Sequence, residues 1–458
     1  MKNESLKKND IITLRIMDLT NEGNGVAKHE SMTVFVPDTA VGDVIKCRIV
    51  KLKSSYCYGR KEELIESAPV RIESRCPVSV QCGGCCFRHI TYEEECRLKD
   101  KFIRDSFQRI GKIGCQFLPF MGCENNDHYR NKAQFPVAEF KGRAVCGFYA
   151  RRSHRVVEYT HCLLQPEIFT DILEAVMAYV NSHGIRAYDE VKLTGLLRHI
   201  FIRRGENSGE IMVCLVVTDA KKGMVFRQLA QSLVRSFPEI KTVVLNVNPK
   251  NTNVILGSRI VPLMGSGEIC DIMCGNRIMI SPLSFYQVNT LQAQKLYRAA
   301  QELAELKSTD TLLDLYCGAG TIGLSMASKV KRLIGVEIIP EAVENARTNA
   351  ELNGITNAEF ICSDAGEAAK LLYDRGIRPD VVIADPARKG CDRRSIEYMV
   401  KMSPDRIVMI SCNHTTAARD CAVFEELGYK TVCVRGVDMF PRTGHTECIV
   451  KLARTGLS

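Results

Sequence analysis

The chain of 458 residues is predicted to be an α/β protein with a doubly wound parallel sheet, preceded by a small β-barrel and a mixed α+β region. Three observations lead to this fold class. From about residue 284, short apolar strands alternate with helical stretches, as in a parallel sheet with helices on both faces. Residues 11–66 alternate short strands with turn residues, which suits a small barrel. Residues 125–280 mix strand-like and helix-like stretches without a nucleotide-binding signature.

The individual elements follow from apolar periodicity and turn residues. In the N-terminal region we predict strands at 11–16, 33–37 and 44–50, with a turn at 23–25. The middle of the chain is predicted to be helical at 95–111 and 171–180 and extended at 196–202 and 211–217. The strands of the parallel sheet are predicted at 312–315, 333–337, 360–362, 381–384 and 407–410. Three domains result, with boundaries at 1–67, 68–283 and 284–458.

The composition is that of an ordinary globular protein, with 45% hydrophobic and 25% charged residues. No apolar run is long enough to span a bilayer, and the start, rich in Lys, Asn and Asp, is not a signal peptide. We therefore expect a cytoplasmic protein that does not enter a membrane. In that setting the 21 cysteines indicate a metal site, catalytic thiols and buried thiols rather than disulfides.

Basic residues exceed acidic ones by 62 to 53, and two stretches concentrate them. Such stretches suit contacts with the phosphates of a nucleic acid, although a solvated strand face is the alternative interpretation of each. The first stretch contains Lys46, Arg48, Lys51, Lys53, Arg60 and Lys61, and the second contains Lys141, Arg143, Arg151, Arg152 and Arg155.

A cofactor site is predicted where the first strand of the parallel sheet runs into a glycine-rich turn. Gly318 and Gly320 follow Asp314 in an Asp-x-x-x-Gly-x-Gly pattern, and these glycines let the backbone pass close to a ligand. Glu337 ends the second strand, where a carboxylate can bind both hydroxyls of a ribose. Asp364 follows the third strand and could meet an adenine amino group. Together these features favour S-adenosylmethionine over a dinucleotide.

A catalytic group is predicted at the carboxyl ends of the next two strands, where open α/β sheets bind their ligands. Asp385 and Arg388 follow the fourth strand, Cys412 follows the fifth, and Glu447 closes a segment before the last strand. A thiolate that adds to C6 of uracil makes C5 nucleophilic enough to take a methyl group, and a base must then remove the C5 proton. Cys412 suits the nucleophile, Glu447 the base and Arg388 the partner of the developing enolate.

A cysteine cluster near residue 80 indicates a metal site. Cys76, Cys82 and Cys85 have the spacing C-x5-C-x2-C, and Cys162 is the best candidate for a fourth ligand. Four thiolates suit either zinc or a 4Fe–4S cluster. The spacing differs from that of radical S-adenosylmethionine enzymes, so cofactor cleavage is not expected.

Together these motifs resemble the bacterial RNA (uracil-5-)-methyltransferases, specifically the 23S rRNA branch that carries an N-terminal TRAM domain. The resemblance spans nearly the whole chain, including Tyr129-Arg130-Asn131-Lys132 of the RNA-binding central domain and Phe285-Tyr286-Gln287-Val288-Asn289 of the cofactor-binding segment. It departs from the family at Ala387, where a second proline is usual, and at Arg88, where a glutamine is usual.

The resemblance implies a class I S-adenosylmethionine-dependent methyltransferase fold and a role for several residues. Gln287, Tyr316, Glu337 and Asp385 would contact S-adenosylmethionine, Cys412 would be the nucleophile, and Glu447 would accept the proton. The four cysteines would bind a 4Fe–4S cluster. Part of 95–125 would pack on the catalytic domain. The expected partner is 23S rRNA, at a single-stranded or loop uridine flipped out of its stack, and the expected state is a monomer.

Three other functions compete with this one. A tRNA uracil-54 methyltransferase shares the catalytic motifs but typically lacks the barrel and the cysteine cluster, so the first 90 residues favour rRNA. A cytosine-5 RNA methyltransferase would carry a Pro-Cys dipeptide, which does not occur in the sequence. A non-catalytic iron–sulfur RNA-binding protein would have no need for Cys412 together with Glu447.

Overall fold

The computed structural model describes residues 6–456. The outermost residues of the first and third predicted domains, 1–5 and 457–458, lie outside this range. The chain forms two compact units. The first unit comprises the described part of Met1–Phe102 with Tyr149–Arg155 and Phe440–Thr446, and the second comprises Ile103–Phe148, Val156–Met439 and the described part of Glu447–Ser458.

The first unit contains a six-stranded sheet and a helix. Its strands lie in the order β1-β5-β6-β4-β3-β2, and they surround one apolar core that includes Ile16, Val36 and Ile45. The predicted turn at 23–25 is shorter than expected, because only Gly23 has a left-handed φ and the next strand already begins at Asn24. The elements are β1 (Ile11–Arg15), β2 (Asp18–Leu19), β3 (Asn24–His29), β4 (Met32–Pro37), β5 (Val44–Leu52), β6 (Tyr56–Glu66) and α1 (Tyr92–Ser106).

Helix α1 buries an ion pair that anchors a distant segment of the chain. Lys99 and Glu95 are fully buried and lie 2.7 Å apart. Lys99 also donates to the main-chain oxygen of Phe440 at 3.1 Å, and Glu95 accepts the main-chain N–H of Arg442 at 2.6 Å. These bonds fix residues 440–446, which directly precede Glu447 in the sequence.

The basic residues of the first predicted stretch are largely paired with acids. Glu63 binds Lys46, Asp38 binds Lys61, and Glu62 lies between Arg48 and Arg60. These carboxylates come from the same strands and from one turn. The surface is therefore less positive than the run of basic residues in the sequence suggested.

The second unit begins with β7 (Gln116–Phe117) and then forms a seven-stranded central sheet in the order β10-β9-β8-β11-β12-β13-β14. One face of this sheet packs on helices through a core that includes Phe135, Phe169 and Leu229. The elements are β8 (Lys132–Phe140), β9 (Arg143–Tyr149), β10 (Val156–Glu158), α2 (Ile168–Ser182), β11 (Leu197–Arg204), β12 (Ile211–Val217), α3 (Ala220–Gly223), α4 (Arg227–Ser236), β13 (Ile240–Val247) and β14 (Arg259–Met264). A hairpin follows, formed by β15 (Ile269–Met273) and β16 (Asn276–Ile280).

The C-terminal sheet has the doubly wound topology that the sequence predicted. Its order is β19-β18-β17-β20-β21-β23-β22-β7, with β17 to β21 parallel and β23 antiparallel to both of its neighbours. No helix within residues 6–456 has the length and apolar character needed to cross a membrane. The elements are α5 (Thr290–Ala304), β17 (Thr311–Leu315), α6 (Thr321–Met326), β18 (Arg332–Glu337), α7 (Pro340–Leu352), β19 (Ala358–Cys362), α8 (Ala365–Asp374), β20 (Val381–Ala384), α9 (Arg393–Lys401), β21 (Arg406–Ser411), α10 (His414–Glu426), β22 (Tyr429–Val437) and β23 (Glu447–Arg454).

Residues 103–121 belong to this sheet and not to the central one. The predicted helix at 95–111 ends as an α-helix at Ser106 and continues as one π-helical turn, Phe107–Gly111. Phe107 and Ile113 are buried in the core of the C-terminal sheet. Strand β7 then pairs in parallel with β22 at the edge of the sheet.

Candidate active site

The glycine-rich turn after β17 forms an open cradle. Tyr316, Gly318 and Gly320 all have left-handed φ angles, of 65°, 54° and 79°. For a tyrosine this conformation is strained, and such strain concentrates at ligand-binding sites. A Cβ at Gly318 would meet open space, so the turn leaves room for a ligand. The fully buried Asp314 accepts the main-chain N–H of Gly323 at 2.8 Å and thereby holds the turn against the start of α6.

Two acids flank the cradle in different ways. Glu337, at the end of β18, accepts the N–H of Gly318 at 3.1 Å and that of Ile339 at 2.9 Å. Each carboxylate oxygen keeps a second lone pair, so the geometry suits two ribose hydroxyls. Asp364 is exposed and caps helix α8, where its Oδ1 accepts the N–H groups of Gly366 and Glu367 at 3.0 and 3.2 Å. Capping is a structural task that the sequence pattern did not indicate.

Strand register brings Cys412 and Glu447 together. Ser411 of β21 pairs with Cys448 of the antiparallel strand β23. Extending this register by one residue sets Cys412 opposite Glu447, and residues that face each other across an antiparallel pair point to the same side of the sheet. Asn413 then caps α10 by accepting the N–H groups of Thr415 and Thr416. The thiol therefore lies at the point where a strand ends and a helix begins.

The electrostatics of this site couple four side chains. Burial and then the charge of Asp385 together raise the pKa of Glu447, to about 8, against the opposing charge of Arg388. Removal from water likewise raises the pKa of Asp385 to about 7. The pKa of the Cys412 thiol is raised by burial, then by Glu447 and Asp385, and is lowered by Arg388. The predicted nucleophile, base, cation and second acid thus act on one another within one cluster.

Helix α10 fixes the loop that carries Asp385 and Arg388. The side chain of Asn413 donates to the main-chain oxygen of Arg388 at 3.2 Å, and Arg419 donates to that of Lys389 at 2.8 Å. Asp420 accepts the N–H of Cys391 at 2.7 Å. Because the loop is tied at three points to the helix that follows Cys412, it is held without the second proline that Ala387 replaces.

The segment that carries Gln287 reveals a residue that the motif interpretation did not anticipate. Gln287 is buried and its main-chain oxygen accepts a hydrogen bond from the side chain of Asn131 at 2.7 Å. The motif around Asn131 was interpreted as part of an RNA-binding domain, whereas this side chain is buried and faces the cofactor segment.

Tyr297 is a second residue near the site that the sequence did not indicate. Its phenol is fully buried, and burial, Asp385 and Glu447 all raise its pKa, but a tyrosine at a helical apolar position gives no signal in the sequence.

The predicted cysteine ligands are divided between the two units. Cys76, Cys82 and Cys85 belong to the first unit and Cys162 to the second. The N–H of Gly84 donates to Sγ of Cys82 at 3.3 Å, and burial followed by the nearby Cys76 raises the pKa of that thiol. None of the 21 cysteines, all of which lie among the described residues, forms a disulfide. Within the described part of the chain, no three His, Cys, Asp or Glu side chains are grouped closely enough to hold a metal ion.

The fold is that of a methyltransferase, and similarity to known proteins shows that the chain belongs to the RNA methyltransferases. Residues 277–455 match the family described as tRNA (Uracil-5-)-methyltransferase, and residues 6–61 match the TRAM domain. An RNA methyltransferase of Halalkalibacterium halodurans, itself uncharacterized, is 42% identical over 448 residues, 98% of each chain. One from Bacillus cereus is 41% identical over 454 residues, again 98% of each chain. The predicted family and its TRAM domain are thereby confirmed, whereas the 23S rRNA branch stays a prediction.

Among solved structures, the tRNA (uracil-54, C5)-methyltransferase of Pyrococcus abyssi, in complex with S-adenosyl-L-homocysteine, is similar over 96% of this chain and 99% of its own. The TM-score is 0.76 and the sequence identity 25%. This likeness confirms the class I methyltransferase fold. It also corrects one argument from the sequence: most of the first 90 residues fall within a match to a tRNA enzyme, so they do not discriminate between rRNA and tRNA as the target.

Proposed function

We propose that this protein transfers a methyl group from S-adenosylmethionine to C5 of a uridine in RNA, through a covalent bond between Cys412 and C6. One observation carries the proposal: Cys412, Glu447, Asp385 and Arg388 influence one another electrostatically at the carboxyl ends of β20 and β21. A thiol, a base with a raised pKa and a cation in one pocket are what addition to a pyrimidine ring requires.

Each residue has a defined task in this reaction. The Cys412 thiolate bonds to C6, and the electrons of the C5–C6 double bond move to O4, where Arg388 stabilises the enolate. The electrons of the enolate then form the bond between C5 and the methyl carbon, while the bond from that carbon to the cofactor sulfur breaks and its electron pair stays on the sulfur. Glu447 takes the proton from C5, and the electrons of that bond restore the double bond as the C6–sulfur bond breaks and the thiolate leaves. A Glu447 whose pKa is raised to about 8 is a stronger base than an ordinary carboxylate.

S-adenosylmethionine, when bound, supplies the methyl group as an electrophile. The residues present fit it, because the turn at Gly318 is open and Glu337 offers carboxylate lone pairs beside it. We assign Gln287, Tyr316, Gly318, Glu337, Asp364 and Asp385 to this cofactor. The relative from Pyrococcus abyssi, which was solved with S-adenosyl-L-homocysteine, supports the choice of cofactor.

The target proposed first is 23S rRNA, at a flipped-out uridine in a single strand or loop. The resemblance to the TRAM-containing rRNA branch supports it. A second candidate is uridine 54 of tRNA, because the structural match spans 96% of this chain and is named for that substrate. The two candidates share the chemistry and differ only in the RNA that is bound.

We further propose that Cys76, Cys82, Cys85 and Cys162 hold a 4Fe–4S cluster. We also propose that the three domains are bounded at 1–67, 68–283 and 284–458, with part of 95–125 packed on the third. Thiol donors and the N–H···S bond to Cys82 support the cluster, since such bonds are typical of cluster sulfurs. The described residues do not gather three ligands at one point, so no step of the reaction is assigned to it.

The experiment is an assay of anaerobically purified protein with methyl-labelled S-adenosylmethionine and unmodified RNA. Transcripts of 23S rRNA and bulk tRNA are incubated separately, and the labelled nucleoside is identified and mapped. Label in 5-methyluridine of 23S rRNA supports the first candidate, and label in tRNA alone supports the second. Absence of label from both RNAs, with cofactor bound, would refute the proposed reaction.

A further inference from the structure

We propose that Asn131 and Arg203, which lie on the central sheet, are positioning residues for the S-adenosylmethionine site. Both hold the segment that carries Gln287. This inference rests on the proposed function, because it takes Gln287 to be a cofactor ligand. It adds two residues about 85 to 155 positions away in the sequence, in a region that was expected to serve RNA binding alone.

The hydrogen bonds within the cofactor segment 281–289 join Ser281, Leu283 and Ser284 at its start, and none of them reaches Gln287. The segment lies between the end of β16 and the start of α5 and contains neither helix nor strand. Gln287 and Tyr286 are nonetheless buried. Buried main-chain carbonyls that are not paired within a helix or a sheet need other hydrogen-bond donors. The residues that provide these donors therefore also fix the position of the segment.

Asn131 donates hydrogen bonds to two main-chain oxygens of the segment, those of Gln287 and Val288, and to the side chain of Thr290. Its side-chain amide donates to the main-chain oxygen of Gln287 at 2.7 Å and to Oγ1 of Thr290 at 2.8 Å. Its main-chain N–H donates to the oxygen of Val288 at 2.8 Å. Asn131 itself is only 1% exposed and directly precedes strand β8. The bonds therefore connect a fixed point of the central sheet to Gln287 itself and to the residues that follow it.

Arg203 holds the other end of the segment. Its guanidinium donates to the main-chain oxygens of Ser281 at 2.8 Å and of Ser284 at 3.0 Å. The side chain is 1% exposed, and burial lowers its pKa to about 10, which leaves it protonated at neutral pH. A charged donor is the strongest kind of partner for a buried carbonyl.

A third contact completes the attachment between these two. The hydroxyl of Tyr286 donates to Oδ2 of the fully buried Asp271 at 2.8 Å. The same carboxylate accepts the N–H groups of Glu206, Asn207 and Ser208, which form the turn directly after β11. The central sheet and its hairpin thus bind the segment from Ser281 to Val288, whereas Asn289 at its end donates to the main-chain oxygen of Met439 at 3.2 Å. We therefore expect the place of Gln287 to depend on the central sheet.

The chain offers a matched control for each positioning residue. Arg198, on the same strand as Arg203, is also buried and donates to two main-chain oxygens, those of Asn248 and Lys250. Asn248 is buried as Asn131 is, and its amide donates to the oxygens of Val254 and Ile255. Both controls fix a loop of the central region and neither contacts the cofactor segment.

The test compares Asn131→Ala with Asn248→Ala and Arg203→Met with Arg198→Met in the full-length protein. The dissociation constant for S-adenosylmethionine is measured by calorimetry, the affinity for RNA by filter binding, and the melting temperature by scanning calorimetry. We expect Asn131→Ala and Arg203→Met to weaken cofactor binding by about tenfold or more. Their RNA affinities and melting temperatures should change no more than those of their controls.

Two results would overturn the inference. Equal loss of cofactor affinity in each variant and its control would mean that the residues act only on stability, and unchanged affinity in Asn131→Ala and Arg203→Met would mean that the segment holds its place without them. The binding measurement requires no methyl transfer. A wild-type protein that binds the cofactor without methylating RNA would therefore refute the proposed function alone, and one that does not bind the cofactor would refute both.

Discussion

The main-chain N–H of Gly318 donates a hydrogen bond to Oε2 of Glu337 across 3.1 Å. This bond joins the glycine-rich turn after β17 to the end of the neighbouring strand. The carboxylate thus both shapes the turn and remains available to a ligand that enters it. Loss of the charge would affect both tasks at once.

We expect Glu337→Gln to weaken S-adenosylmethionine binding by about tenfold or more, because a charged acceptor of two ribose hydroxyls becomes a neutral group that can accept at only one atom. Calorimetric titration measures the effect. Glu359→Gln, on the adjacent strand β19, removes an exposed carboxylate that pairs with Arg332 and should bind the cofactor normally. Equal binding by the Glu337 variant and the wild type would contradict the assignment.

The pH dependence of methylation follows from two raised pKa values. Glu447, with a pKa of about 8, must be ionised to accept the C5 proton, and Cys412, whose pKa lies above its usual value, must be a thiolate to attack C6. Both requirements are met less well at low pH. We therefore expect kcat/KM to rise between about pH 6 and pH 9, as measured by initial rates at RNA concentrations well below KM. A rate that falls over this range would be inconsistent with these roles.

Glu447→Gln should stall the reaction after methyl transfer. Without a base, the C5 proton stays in place, the thiolate cannot leave, and protein remains bonded to RNA at C6. We expect a protein–RNA adduct that survives denaturation and whose formation requires S-adenosylmethionine. A denaturing gel with labelled RNA detects it. Lys451 lies on β23, the strand that begins with Glu447, and it pairs with the exposed carboxylate of Glu305. The control Glu305→Gln removes this carboxylate and should turn over without accumulating the adduct. Full turnover by the Glu447 variant would exclude it as the base.

The strands of the C-terminal sheet could be predicted because the signal is local. Runs such as 381–384 are fully buried on both faces, so they are apolar throughout and stand out between glycine and charged residues. Strand order in the central sheet could not be predicted in this way. Strand β8 pairs with β11 across more than sixty residues, and this choice depends on packing that no short stretch encodes.

The residues of the candidate site likewise differ in whether a local sequence signal could predict them. Cys412 and Glu447 could be singled out because each follows or begins an apolar strand, and the strand ends of such a sheet meet at one edge. Asn131 could not, because its contact with Gln287 joins residues 156 positions apart. For Asp364 the sequence predicted a role in ligand binding but not its structural role, which is to cap helix α8.

Removal of one cysteine tests the proposed cluster. Cys82→Ala should lose most of the iron and sulfide bound per chain and the associated visible absorption, because a 4Fe–4S cluster needs all four thiolates. Cys86→Ala changes a neighbouring, partly buried thiol that is not a proposed ligand and should retain the iron. Metal analysis after anaerobic purification measures both variants. Equal iron in the two, or zinc in place of iron, would contradict the 4Fe–4S assignment.

The most direct test of the account is methyl transfer by Cys412→Ala. The residue is partly exposed at the end of β21, so truncation leaves no large cavity and folding should persist. We expect at least about a thousandfold loss of 5-methyluridine formation with cofactor and RNA affinities retained, while Cys362→Ala, an exposed cysteine at the end of β19, should stay active. Methylation of C5 by the Cys412 variant at a rate near that of the wild type would contradict the covalent mechanism.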